Sequence, residues 1–136
     1  MIEKLILTRK QWLAMRRHVA RRHPQEACGL LAGRNDKVEM TLAVPNASRS
    51  PVRFRMEGLA QWRAFQRIEA GGMELLGIYH SHPDGPAQPS PTDVAEAVYP
   101  VVHIIWTRQE GSWQSRGFLI EGGETAEVAL QVITTE

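Results

Sequence analysis

The sequence predicts a mixed α/β (α+β) layered domain, and three observations carry that prediction. Stretches of two-residue and 3.6-residue apolar periodicity interleave along the chain. At least one pair of alternating stretches meets at a tight turn, as in a β-hairpin. No repeat, linker or low-complexity tract interrupts the 136 residues, a length that can build one core without cross-links. A single domain over 1–136 is therefore expected.

The elements follow in order. Residues 3–8 (EKLILT) read as a strand, and Thr8 can cap a helix over 9–22. Trp12, Met15 and Val19 give that helix an apolar stripe, flanked by Arg16, Arg17, Arg21 and Arg22. Those arginines read as a solvated face, because stacking aromatics and a second basic cluster are missing. Pro24 stops the helix. Residues 27–33 (ACGLLAG) read as a buried strand of small residues. Asn35-Asp36 makes a turn, and 37–44 (KVEMTLAV) returns as the second strand of a hairpin.

Residues 45–51 are a loop. Val52, Phe54 and Met56 alternate, which predicts a short strand over 52–56. A second helix is predicted over 57–70, carrying Leu59, Trp62, Phe65 and Ile68 and stopping at Gly71-Gly72. Residues 74–82 (ELLGIYHSH) read as a central strand, followed by a Pro/Gly-rich loop over 83–89. Ser90 starts a short third helix with Pro91 at its first position. Strands at 101–107 and 113–120 turn at Glu110-Gly111-Ser112, and a last helix or strand covers 125–133.

Composition narrows the function classes. Hydrophobic residues make up 43% and charged residues 23%, as in ordinary globular proteins, and the net charge of +1 selects no partner. The 13 arginines outnumber the lysines heavily, which carries no functional meaning by itself. One cysteine, Cys28, excludes an internal disulfide and a multi-cysteine zinc site and suits a reducing compartment. No signal-peptide pattern opens the chain and no run approaches the roughly 18 apolar residues of a membrane span. A cytoplasmic protein with no membrane or nucleic-acid partner is expected.

Chemistry concentrates in His80-Ser81-His82-Pro83 and Ser90-Pro91-Thr92-Asp93. Residues two apart on a strand face the same side, so His80 and His82 can aim both imidazoles at one point. Zn–N bonds of about 2.0–2.1 Å would suit them. Ser90 and Asp93, three apart at a helix start, share one side of the first turn, and Asp93 can bring a carboxylate to the same point. Two imidazoles and one carboxylate leave a fourth position for water, the pattern of a catalytic zinc site. Either half alone has a plain explanation: His-x-His is usually incidental, and S-P-T-D is a helix cap. Together they should occur by chance in well under about one chain in a thousand, so a site is inferred.

The segment resembles the signature of the JAMM (MPN+, JAB1/MPN/Mov34) metalloprotease family. That pattern has an upstream Glu, then His-Ser/Thr-His-Pro, a seven-residue spacer, Ser, two residues and Asp. Glu26, His80, Ser81, His82, Pro83, Ser90 and Asp93 match it, within a resemblance spanning roughly residues 3–120. The resemblance implies a deaminase-like α/β/α sandwich with a curved mixed β-sheet flanked by helices. It implies one zinc ion on His80, His82 and Asp93, with water as the fourth ligand. It makes Glu26 the general base and acid that takes a proton from that water and passes one to the leaving amine. Ser90 becomes a hydrogen-bond donor to the oxyanion, and Ser81 a supporting residue. Spacing alone singles out none of the twelve glutamates.

The resemblance further implies an amide or isopeptide substrate at the Gly-Gly tail of a ubiquitin-like or sulfur-carrier protein. Only 53 residues separate Glu26 from His80, which fits a minimal prokaryotic member. The tail is expected to add as a strand to a sheet edge at 52–56. Two alternatives stand beside this: a hydrolase releasing cysteine from a sulfur-carrier adduct, and a metal-free MPN interaction module. The complete ligand set argues against the module, and the missing Pro-Cys-x-x-Cys argues against a zinc deaminase. Cys28 reads as a buried strand residue rather than a nucleophile. His18, His23 and His103 lack a partner at ligand spacing and read as surface or packing residues. Asp84 loses to Asp93 as a ligand, and internal Gly122-Gly123 reads as a turn. Nothing in the sequence sets the oligomeric state.

Overall fold

The computed structural model describes residues 3–134. Ten elements run in the order β1 (Lys4–Thr8), α1 (Arg9–Arg22), β2 (Cys28–Arg34), β3 (Lys37–Val44), α2 (Gly58–Ala70), β4 (Glu74–His82), α3 (Pro91–Glu96), β5 (Val102–Gln109), β6 (Ser112–Glu121) and β7 (Glu124–Ile133). The expected mixed α/β architecture is present. Its sheet curves far enough to close, in the order β1-β3-β2-β4-β5-β6-β7, because β1 pairs in parallel with both β3 and β7. β4 is the central strand, antiparallel to β2 and parallel to β5.

Local chemistry explains the boundaries. Thr8 accepts from the Gln11 N–H while Gln11 Oε1 accepts from the Thr8 N–H, a reciprocal cap that fixes the start of α1. Turns form where the chain adopts positive φ: Asn35 in the β2–β3 turn, Glu110-Gly111 in the next hairpin, and Gly122-Gly123 between β6 and β7. The ambiguous C-terminal segment is the strand β7.

The sheet is covered on both sides. Met15 and Val19 of α1 pack on one face against Leu31, Tyr79, Ile104 and Trp106. Ala64 and Ile68 of α2 pack on the other against Leu30, Leu42, Val44 and Ile78. Each such buried aliphatic side chain contributes about 1.5–3 kcal/mol relative to exposure.

Two expectations fail. Residues 52–56 are not a strand; the segment carries only one bridge, Asn46 to Met56, and so supplies no sheet edge. Its alternation has another cause, since Phe54 and Met56 both turn into a cleft beside β4. In α2, Leu59 and Trp62 are not core residues: they are 52% and 58% exposed, and the helix is seated by Ala64 and Ile68.

Candidate metal centre

The face of β4 that looks toward α2 and α3 ends in His80 and His82. Both are buried because the strand is central. Cys28 of β2 pairs with His80, so the residue two before it, Glu26, arrives beside His82. A reciprocal clamp holds that arrival. The Ala27 N–H donates to Ser81 Oγ at 2.8 Å, and the Ser81 N–H donates to the Ala27 carbonyl at 3.1 Å. Glu26 itself is tied to the 45–57 loop. Its N–H donates to the Ser50 carbonyl at 2.7 Å, and its carbonyl accepts from Asn46 Nδ2 at 3.0 Å. Ser81, wholly buried, is thus a positioning residue for Glu26.

The ligand-type atoms of Glu26, His80 and His82 all lie within 4.8 Å of one another. Asp93 joins the group through His82, with Nε2 and Oδ2 2.9 Å apart. Its place is set by the cap of α3, where the Ser90 N–H donates to Asp93 Oδ2 and the Asp93 N–H donates to Ser90 Oγ. Ser90 Oγ therefore accepts from the backbone and keeps its own proton available to donate.

These residues fit a cation. His82 Nδ1 lies 3.1 Å from the Pro86 carbonyl, which can only accept, so Nδ1 carries the hydrogen. Nε2 then presents a lone pair toward the Asp93 carboxylate, and two acceptors at 2.9 Å need a proton or a metal ion on them. Both ring nitrogens of His80 and Oε1 of Glu26 are buried without a hydrogen-bond partner. Uncompensated buried polar atoms are costly and uncommon, and metal ligation would satisfy them.

The electrostatics agree. Burial holds the pKa of His80 below the ordinary imidazole value, keeping it a neutral donor. Burial also pulls His82 down, but hydrogen bonds to Asp93 and the Pro86 carbonyl, with the charges of Asp93 and Glu26, raise it overall. For Asp93 burial acts upward, and the hydrogen bond with His82, the charges of the histidines and the Ser90 N–H win, holding it well below the usual carboxylate range. Burial pushes Glu26 up to about 7; His82 opposes that shift and Asp93 adds to it. A carboxyl poised there can both accept and return a proton near neutrality.

Beside the centre opens a cleft of about 560 Å³, lined by Phe54, Met56, Ile78, Asp93, Tyr99 and His103 among others. Phe54 stacks on the His80 ring with centroids 4.6 Å apart. His103 meets His80 edge-on at 5.7 Å, and burial lowers its pKa to about 4. Sequence spacing alone gave no reason to join His103 to this face. The signal is the β4–β5 register, which sets it beside Ile78.

The remaining candidates separate cleanly. Cys28 donates to the Val44 carbonyl, and burial, followed by the Glu26 charge, pushes its thiol up to about 12, which makes it a poor nucleophile. Asp84 is exposed in its loop. His18 packs inside, 2.7 Å from the Tyr79 hydroxyl.

Comparison with known proteins gives a consistent picture. The profile of a family described as prokaryotic homologs of the JAB domain matches residues 8–118. A Thermus thermophilus protein named "Probable TtuB-protein conjugate cleaving protease" is 42% identical over 119 residues, covering 87% of this chain and 76% of that protein. A CysO-cysteine peptidase from Mycobacterium tuberculosis is 36% identical over 124 residues, covering 88% of this chain and 85% of that protein. The solution structure of a Desulfitobacterium hafniense protein matches with a TM-score of 0.86 at 32% identity, covering 96% of this chain and 94% of that one.

Proposed function

This chain belongs to the prokaryotic homologs of the JAB domain, the prokaryotic branch of the JAMM peptidases, and from that premise we propose a zinc-dependent metallo-(iso)peptidase. Its substrate is an amide or isopeptide bond at the Gly-Gly tail of a ubiquitin-like or sulfur-carrier protein. The observation that carries the reading is the buried, unpartnered cluster of Glu26, His80 and His82 opening onto a cleft.

His80, His82 and Asp93 would hold one zinc ion. When bound, zinc acts as a Lewis acid and lowers the pKa of a coordinated water to about 7. Glu26, with its raised pKa, accepts a proton and later delivers it to the leaving amine. Ser90 contributes the hydroxyl proton that its capping role leaves free to the oxyanion of the attacked carbonyl. Ser81 and Asn46 hold the Glu26 backbone. Buried carboxylate and imidazoles exclude bulk water, which strengthens these interactions.

The leaving group divides two versions of this reaction. The Thermus relative is named for cleaving protein conjugates and the mycobacterial one for a cysteine adduct. A cysteine-releasing hydrolase is therefore the second reading. A scaffold without metal fits poorly, because the full donor set is retained. We place the activity in the cytoplasm and in one domain over 1–136; among the described residues no helix is long and apolar enough to cross a membrane.

The test is cleavage of a fusion between a ubiquitin-like carrier ending in Gly-Gly and a reporter, with matched lysine-isopeptide and cysteine-adduct substrates. Cleavage should vanish with a chelator and return with added zinc. Full activity in chelator would refute the metal dependence, and the favoured substrate identifies the leaving group.

A further inference from the structure

One side chain facing the cleft has no part in the reaction above. His103 is 3% exposed and lines the cleft, and neither of its ring nitrogens has a hydrogen-bond partner. β5 alternates: Val102, Ile104 and Trp106 enter the α1-side core, so His103 faces the opposite side with Ile78 and His80. Around it the inner walls are Phe54, Met56, Ile78 and Tyr99, which offer no acceptor or donor in the floor. Charged and hydroxyl groups such as Arg53, Arg55 and Ser48 stand at the outer loop.

An extended tail ending in glycines has only main-chain N–H and C=O groups to recognise. Entering an apolar cleft strips their water, and each group left unpaired costs about 1–3 kcal/mol. A neutral imidazole offers one donor and one acceptor, matching both groups of a peptide unit. We propose that His103 is a substrate-recognition residue, whose ring hydrogen-bonds a peptide unit of the extended tail in the floor of the cleft next to the metal centre. The proposal deepens the peptidase reading and rests on it for the identity of the tail.

The experiment measures binding apart from turnover. A fluorescent synthetic peptide reproducing the tail of a ubiquitin-like sulfur carrier, with a free Gly-Gly terminus, is titrated with the zinc-loaded protein and followed by anisotropy. His103→Leu should weaken peptide binding about five- to twenty-fold, the range expected for losing hydrogen bonds to a desolvated partner. It should raise KM for a tail conjugate to a similar degree and leave kcat within about two-fold. His103→Gln, which keeps a donor and an acceptor, should recover most of the loss. Zinc affinity should match the wild type in both variants.

Unchanged peptide binding in His103→Leu would overturn the proposal. So would a parallel loss of zinc affinity, which would mean that His103 acts through His80. Circular dichroism checks folding, and if His103→Leu fails to fold, failure of soluble His103→Gln to bind better than His103→Ala overturns the proposal instead. A wild-type protein that binds the peptide yet cleaves no conjugate refutes the peptidase reading and leaves the His103 comparison standing.

Discussion

Replacing Ser81 by alanine should damage both stability and turnover without removing any metal ligand. Ser81 is wholly buried, and its Oγ is the acceptor for the Ala27 N–H at 2.8 Å. Ala27 is 2% exposed, so no water replaces the lost partner. A buried donor left unsatisfied costs about 1–3 kcal/mol. For a chain of this size a loss near 2 kcal/mol lowers Tm by about 5–10 °C. The same bond fixes the residue beside Glu26, and a misplacement of about 1 Å in a reacting group costs up to a hundred-fold in rate. Differential scanning fluorimetry and single-turnover cleavage, both on zinc-loaded protein, measure the two effects. The expected result is the Tm loss, a kcat lowered about ten-fold or more, and unchanged zinc content. A Tm within about 1 °C of wild type, together with wild-type kcat, would refute the clamp.

Three further outcomes follow from particular contacts. Asp93→Asn removes the charge beside His82 but keeps an oxygen for the Ser90 N–H, so α3 should persist while zinc affinity falls by about 100-fold or more; calorimetric titration with equal affinity would remove Asp93 from the ligand set. His18 has its pKa lowered to about 4, first by burial and then by the charges of Arg22 and Arg21. The unfolded chain, with its ordinary value near 6.5, binds more protons between those limits, so this contribution to stability is full above about pH 6.5 and is lost as pH falls toward 4. It amounts to about 2 kcal/mol after allowance for solvent screening. Urea titrations should show a shallower acid decline for His18→Gln than for wild type, and parallel declines would contradict the assignment. Gly29→Ala would set a Cβ 2.2 Å from a Tyr79 ring carbon and 2.6 Å from the Leu42 carbonyl. Such overpacking should cost about 1–3 kcal/mol in urea unfolding, and an unchanged midpoint would show that the ring moves freely.

Much of this was legible in the residues, for identifiable reasons. Caps announce themselves locally, so Thr8 and Ser90 mark their helices correctly. The alternation of His80 and His82 on a central strand translates directly into a shared face. Glu26 was accessible only through family resemblance, because its approach depends on the β2–β4 register and the Ala27–Ser81 clamp, neither of which leaves a periodic trace. The 52–56 segment misled because alternating apolar residues line a cleft as readily as they line a sheet. Trp62 misled because a large apolar residue on a helix is usually core, yet here the smaller Ala64 lets the helix sit close. His103 escaped notice for the same reason as Glu26: its face is fixed by pairing with a distant strand.

The most direct measurement of the central claim is zinc content and turnover of Glu26→Gln, side by side with wild type. The substitution keeps the size of a side chain that is 4% exposed and removes its ability to take a proton. The protein should still bind one zinc ion through His80, His82 and Asp93, while conjugate cleavage falls by about 10²–10⁴, the usual contribution of a general acid–base group. Zinc bound at full stoichiometry with wild-type turnover would contradict the role given to Glu26. Zinc absent from both proteins, and not restored by adding the metal, would contradict the metal centre itself.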